Sequence, residues 1–166
     1  MENYLIKDTQ LLLVNYKKDF QEDLIDLIRT IYKEYNQILE LETLDNDLLN
    51  IKSEYGAPST FQVLLDKEKN NKLIGSVAVR IKNSGAELKR VFLNEVYRGK
   101  GIGKELSTWA FNYAKNKGFK HIDIWSDVTF ITAHKLYKKL GAEDTRKTRY
   151  LGGVNKVSEY YFKKKL

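Results

Sequence analysis

Glu87-Leu88-Lys89-Arg90-Val91-Phe92-Leu93, then Asn94-Glu95-Val96-Tyr97, then Arg98-Gly99-Lys100-Gly101-Ile102-Gly103-Lys104, is the stretch that decides how this chain reads. Its first seven residues predict a strand that runs into a glycine turn. From Ile102 onward the apolar positions Leu106, Trp109, Ala110 and Tyr113 fall on one helix face, with Gly118 as a C-terminal stop. Three glycines at alternate positions remove side chains where a backbone must approach a ligand closely. At the same point the first helical turn offers unpaired N–H groups and the positive end of its dipole. Flanked by Arg98, Lys100 and Lys104, the turn predicts an anion site suited to a pyrophosphate.

Spacing separates the phosphate motifs that share this chemistry. A P-loop starting at Gly99 needs Gly at position 104, which is Lys, and a hydroxyl that does not follow. The dinucleotide fingerprint also fails, ending on Lys104 from Gly99 and on Leu106 from Gly101. What fits is Arg-x-x-Gly-x-Gly at Arg98, Gly101 and Gly103, placed after the strand Glu87 to Leu93.

That arrangement resembles motif A of the GNAT N-acetyltransferase superfamily. A second stretch, Asp127 to Ala142, is similar to the family's motif B in its Ala133, Leu136-Tyr137 and Leu140-Gly141. It departs in having Phe130 where many members carry Asn, and Gly141-Ala142 where Gly-Phe is usual. The two matches cover residues 86 to 142, and the N-terminal third follows by element order only. The resemblance implies an α+β, three-layer fold. In it a mixed, mostly antiparallel sheet is splayed between two central strands and flanked by about four helices. It implies acetyl-CoA as co-substrate, bound by Val91, Phe92 and Leu93 through backbone, by Arg98, Gly99, Lys100, Gly101, Ile102, Gly103 and Lys104 around the phosphates, and by Phe130 and Ala133. It further implies transfer of the acetyl group to a primary amine, by direct attack in a ternary complex.

Amine attack on a thioester needs a neutral amine, a stabilised carbonyl oxygen and a protonated leaving thiolate. Tyr137 occupies the family's tyrosine position and is the candidate general acid, against the plainer reading of a helix-face aromatic in the core. Glu87 is the candidate base in relatives that share Glu-Leu-Lys-Arg, and an ordinary cross-strand partner for a Lys or Arg otherwise. Asp127 is an alternative base, or a helix cap. His121 and His134 lack ligand-spaced neighbours, so no metal is expected. Ser107 and Ser126 have no glycine elbow, which leaves a hydrolase triad unsupported. Lys135, Lys138 and Lys139 either reach the 3′-phosphate of CoA or solvate a helix.

The rest of the chain predicts a strand at Leu11 to Tyr16 and a helix through Phe20, Leu24, Ile28, Ile31 and Tyr35. A weaker helix follows over Asp45 to Tyr55, then strands at Phe61 to Leu65 and Leu73 to Ile81 joined through Lys67 to Asn71. Asn83-Ser84-Gly85 reads as a turn, His121 to Trp125 as a strand and Ala133 to Leu140 as a helix. Arg149 to Leu151 with Val157 to Phe162 make a closing hairpin, and Lys163 to Lys165 a frayed tail. With 166 residues, 42% of them apolar, the sequence predicts a single domain over 1–166. Zero cysteines exclude disulfides and any acyl-cysteine intermediate. No apolar run approaches a membrane span and the N-terminus lacks a signal-peptide core, so a cytoplasmic protein is expected.

The net charge of +7 is uneven: residues 1–85 carry 11 basic and 14 acidic side chains, residues 86–166 carry 18 and 8. A polyanionic partner is therefore expected on the C-terminal half. In the acidic half, Glu40, Glu42, Asp45, Asp47 and Glu54 suggest a cationic amine acceptor, or simply a solvated surface. Two other classes compete: an acyl-CoA sensor that kept the cleft without catalysis, and a basic nucleic-acid binder. The second lacks a zinc-finger, RNP or helix-turn-helix pattern. A homodimer is left open.

Overall fold

Continuous apolar runs, with few polar interruptions, mark strands covered on both faces, and the middle of this sheet is built from them. The computed structural model describes residues 3–6, 8–83 and 85–166. Strand β3, Thr60–Asp66, is buried at every position, and β4, Lys72–Lys82, over Leu73 to Val79. The other strands are β1 Tyr4–Leu5, β2 Leu11–Asn15, β5 Gly85–Leu93, β6 His121–Asp127, β7 Glu143–Gly152 and β8 Val157–Lys165. They form one eight-stranded sheet in the order β1-β2-β3-β4-β5-β6-β8-β7. Every neighbouring pair is antiparallel except β5 with β6.

The helices α1 Gln21–Glu34, α2 Ile51–Glu54, α3 Ile102–Asn116 and α4 Ile131–Lys139 complete three layers. Leu24, Ile28 and Ile31 of α1 pack with Leu48, Phe61, Val63 and Phe92 on one face of the sheet. Leu106 and Ala110 of α3 and Tyr137 of α4 pack with Ile74, Leu88, Ile122, Ile124 and Phe162 on the other. Each helix buries one stripe and leaves the opposite one wet, as its sequence period requires.

Three expectations change. The helix expected over Asp45 to Tyr55 divides into a short 3-10 turn, Asn46–Leu48, and the single turn α2. Asn50 Nδ2 donates to the Asn46 carbonyl at 3.1 Å and Asn46 Nδ2 to the Leu41 carbonyl at 3.2 Å, local bonds that compete with a helix ladder. The closing hairpin is longer than Arg149 to Leu151 with Val157 to Phe162. Lys163 to Lys165 continues β8 and is not frayed, because β8 lies between β6 and β7: Lys165 pairs with His121 and Lys163 with both Asp123 and Glu143. β1 is an additional short edge strand. Of the expected Asn83-Ser84-Gly85 turn, Asn83 has φ +53° and Ser84 lies outside the described residues. No helix among the described residues is long and apolar enough to cross a membrane.

Candidate active site

The parallel pairing of β5 with β6 is confined to Glu87 opposite Asp123 and Leu88 opposite Ile124. β5 then runs on to Leu93 and β6 to Asp127 without pairing, so the sheet opens as a wedge toward their C-terminal ends. A bulge sharpens the divergence. Between the pairs Ser76–Phe92 and Ala78–Lys89, β4 has Val77 alone where β5 has Arg90 and Val91. Arg90 takes φ +52°, and the Ser76 hydroxyl donates to its carbonyl at 2.8 Å.

Two cavities flank the wedge and share Val91, Phe92 and Phe130 as walls. The larger, about 490 Å³, lies over the glycine turn. Of the predicted cofactor residues, Val91, Phe92, Leu93, Arg98, Gly99, Gly101, Gly103, Lys104, Phe130 and Ala133 line it. Lys100 and Ile102 do not: the Lys100 ammonium lies over the Tyr97 ring at 5.8 Å, and Ile102 is buried in the core beneath. Gly99 and Gly101 have φ of +74° and +81°, and a Cβ on either would meet nothing within 4 Å. Conformation therefore requires glycine there. At Gly103 a Cβ would lie 3.4 Å from Leu136 Cδ2, which is how closely α3 approaches α4. Ile31 and Tyr35 from α1, and Thr132, Lys135, Leu136 and Lys139 from α4, are further walls. Of the three lysines on the last helix, Lys135 and Lys139 face this cavity and Lys138 pairs with Asp144 at 3.2 Å. Phe130, in the place of the family's Asn, packs edge-on against Tyr35 with centroids 4.8 Å apart.

Arg98 fastens the cavity's rim. Its Nε donates to the Leu93 carbonyl at 2.9 Å, and its two terminal nitrogens reach Glu34 at 2.6 and 3.1 Å. The end of β5, the glycine turn and the end of α1 are thereby tied together.

The smaller cavity, about 140 Å³, lies on the other side of the wedge. Its walls are β5, β6, the loop after α1 and the β7–β8 hairpin. Tyr137 lines it, 5% exposed, and no hydrogen-bond partner holds its hydroxyl among the described residues. Burial pushes its pKa well above the usual phenol value, so the proton stays on. Asp127 also lines it: Oδ1 accepts from the Thr129 N–H and hydroxyl, each at 2.8 Å, and Oδ2 from Gln37 Nε2 at 2.9 Å. Glu87 lines neither cavity. Its carboxylate sits between Arg80 at 3.2 Å and Lys89 at 3.5 Å, in the cross-strand register Arg80 opposite Glu87.

Sequence reasoning missed Arg90. Its buried guanidinium contacts Asp45 at 2.9 Å, Asp47 through two nitrogens, and Tyr32 Oη at 3.4 Å. Asp47 also accepts from the Tyr55 hydroxyl. Asp45 and Asp47, expected at an acidic surface, are thus internal counterions. Glu54 pairs outward with Lys82 at 3.1 Å. Only an unusual positive charge inside a strand's apolar pattern signalled this network. Among the described residues no cluster of three or more His, Cys, Asp or Glu side chains is arranged to hold a metal.

Residues 22–142 match the acetyltransferase (GNAT) family. The chain belongs to that family. An uncharacterised N-acetyltransferase from Methanocaldococcus jannaschii is 34% identical over 84 residues, 46% of this chain and 37% of that protein; the match spans little more than a third of the relative's length. An acetyltransferase from Streptococcus agalactiae superposes with a TM-score of 0.79 at 21% identity, covering 95% of this chain and 99% of that one. The NatC complex bound to Gag peptide and CoA contains a chain that superposes at 0.72 with 15% identity, covering 95% and 99%. These superpositions show a shared fold.

Proposed function

We propose that this GNAT chain transfers the acetyl group of acetyl-CoA to a primary amine by direct attack in a ternary complex. The observation that supports it most is the meeting of two cavities at one bulged stretch of backbone. A large, basic, glycine-floored cavity suits a nucleotide thioester, and a small polar one suits an amine. The donor fits the residues present: Gly99 and Gly101 keep the turn open, and Lys104, Lys135 and Lys139 add positive charge around it. When bound, acetyl-CoA supplies an activated acyl carbon.

The chain's own groups then have distinct tasks. The bulge frees backbone at Arg90 and Val91 from regular pairing, and a Val91 N–H turned toward the wedge is the group that would stabilise the developing oxyanion. The Tyr137 hydroxyl donates to the departing sulfur. The neutral amine forms the C–N bond as the C–S bond breaks; the nitrogen's surplus proton leaves to solvent, from which the Tyr137 oxygen regains the proton it gave to sulfur. The nitrogen's proton is not routed to Glu87, which two cations hold away from both cavities.

Incubation with acetyl-CoA and a panel of primary amines, read by release of free thiol, tests the proposal. Thiol release that depends on the amine, with acetylated amine seen by mass spectrometry, is the expected result. Release no faster than without amine, across the panel, refutes it.

A further inference from the structure

The smaller cavity is lined by both signs of charge, and the pairing of those charges is lopsided. Each of its cations has a carboxylate. Lys89 has Glu87 at 3.5 Å, Arg90 has Asp45 at 2.9 Å together with Asp47, and Arg149 has Glu159 at 2.6 Å. Two lining carboxylates have no cation. Asp127 is held only by the neutral donors of Gln37 and Thr129. Glu40 is held only by the Val154 N–H at 3.1 Å, the Thr43 hydroxyl at 3.3 Å and Asn155 Nδ2 at 3.4 Å. Glu87 is shared between Lys89 and Arg80, while Arg90 has two carboxylates, so the lining charges and their direct partners come to six carboxylates against four cations, a surplus of two negative charges.

Both carboxylates are tethered by the loop after α1 and the β7–β8 hairpin. The loop after α1 and the tip of the β7–β8 hairpin are latched together: the Ile38 N–H donates to Asn155 Oδ1 at 2.9 Å, and Asn155 Nδ2 donates to the Ile38 carbonyl at 2.7 Å. Gln37 on the same loop reaches across to Asp127, and the hairpin's Val154 and Asn155 hold Glu40. Tyr137, buried and with an unpartnered hydroxyl, lines the same space. Asp127 is buried and Glu40 half-buried, and a buried carboxylate without a counterion is costly to maintain unless a ligand's charge neutralises it. The volume, about 140 Å³, is close to the roughly 150 Å³ that holds a benzene ring, or about six heavy atoms.

We infer that the acceptor is a short aliphatic primary amine carrying a second positive charge, a linear diamine or the diamine end of a longer polyamine, recognised by Glu40 and Asp127 together. A zwitterion with a carboxylate at the far end is excluded by the same two charges. This rests on the amine-acetylation reading for the use of the site but not for the site itself, so binding and turnover are measured separately.

The test is calorimetric titration of the full chain, with and without CoA, by 1,4-diaminobutane, pentylamine and 4-aminobutyrate at low salt. Diaminobutane is expected to bind about tenfold more tightly than pentylamine, with 4-aminobutyrate weakest, since one partly buried charge pair contributes on that order. Glu40→Gln is expected to remove about five- to tenfold of the diamine affinity while leaving pentylamine within about twofold. Pentylamine or 4-aminobutyrate binding as well as the diamine, no binding by any of the three, or indifference of the diamine to Glu40→Gln would each overturn the inference. Diamine binding without thiol release from acetyl-CoA supports the site and refutes the transferase proposal. Thiol release at equal rates for all three amines does the reverse.

Discussion

Glu34, the last residue of α1, holds Arg98 of the glycine turn by two hydrogen bonds of 2.6 and 3.1 Å, at the rim of the cavity that suits the CoA phosphates. The carboxylate orders the guanidinium and also cancels its charge where a polyanion is expected. Removing the negative charge while keeping the shape, as Glu34→Gln, is expected to tighten CoA binding about threefold at low salt, an advantage that fades as ionic strength rises. Arg98→Gln leaves Glu34 uncompensated there and is expected to weaken CoA about tenfold. Fluorescence or calorimetric titration of CoA at two salt concentrations decides both, and a weaker Glu34→Gln would show that ordering outweighs charge.

Tyr137 offers the simplest separation of catalysis from binding. Tyr137→Phe removes one oxygen from a buried ring and is expected to lower kcat by about 100-fold with the CoA Kd within about twofold of the parent. Steady-state thiol release alongside a binding titration checks it. A sensor without catalysis has no such kcat to lose.

Arg90 is an internal ion at the bulge, facing Asp45 and Asp47 inside the protein. Arg90→Met fills similar space and strands two buried carboxylates, so urea unfolding is expected to show a loss of about 3–5 kcal/mol. A loss below about 1 kcal/mol would mean that water reaches the acids once the guanidinium is gone.

His134 is buried beneath β6, its Nε2 3.1 Å from the Ser126 hydroxyl, and burial lowers its pKa below the ordinary histidine value. The unfolded chain therefore binds a proton more readily than the folded one. Its contribution to stability is complete above about pH 6.5 and declines as pH falls from there toward the lowered folded value. The melting temperature is expected to drop across that window, and His134→Gln to flatten that part of the profile. Parallel profiles for the two proteins would assign the acid sensitivity elsewhere.

Gly153 sits at the latch with φ +75°, and a Cβ there would fall 2.5 Å from Glu40 Oε2 and 2.7 Å from Leu44 Cδ1. Glu40 is the end of a flexible side chain and can yield, so the backbone conformation sets most of the cost. Gly153→Ala is expected to destabilise by about 1–2 kcal/mol and to loosen diamine binding. Denaturant melts and the calorimetric titration above read the two effects.

The sheet's centre and the glycine turn are legible because their signals are local. Val91 to Leu93 leading into Arg98-x-x-Gly101-x-Gly103 is a strand, turn and helix in one unbroken stretch, and glycine is required there by dihedral angle alone. Lys135 and Lys139 were visible as charges without a direction, because their facing depends on how α4 is seated. β8 is longer than the sequence predicts because its inner position, between β6 and β7, is a pairing made at long range that no local pattern in Lys163-Lys164-Lys165 expresses.

By itself, the sequence determined the order of elements, the glycine turn and the presence of a tyrosine at the family's position, since each depends on residues within a few places of one another. Only the tertiary structure decided which charges cancel. Glu87 went to Arg80 and Lys89, Asp45 and Asp47 to Arg90, and Glu34 to Arg98, while Asp127 and Glu40 kept neutral partners. The reason is physical: an ion's role is set by what lies within about 4 Å of it, and those neighbours come from strands, loops and helices far apart in the chain.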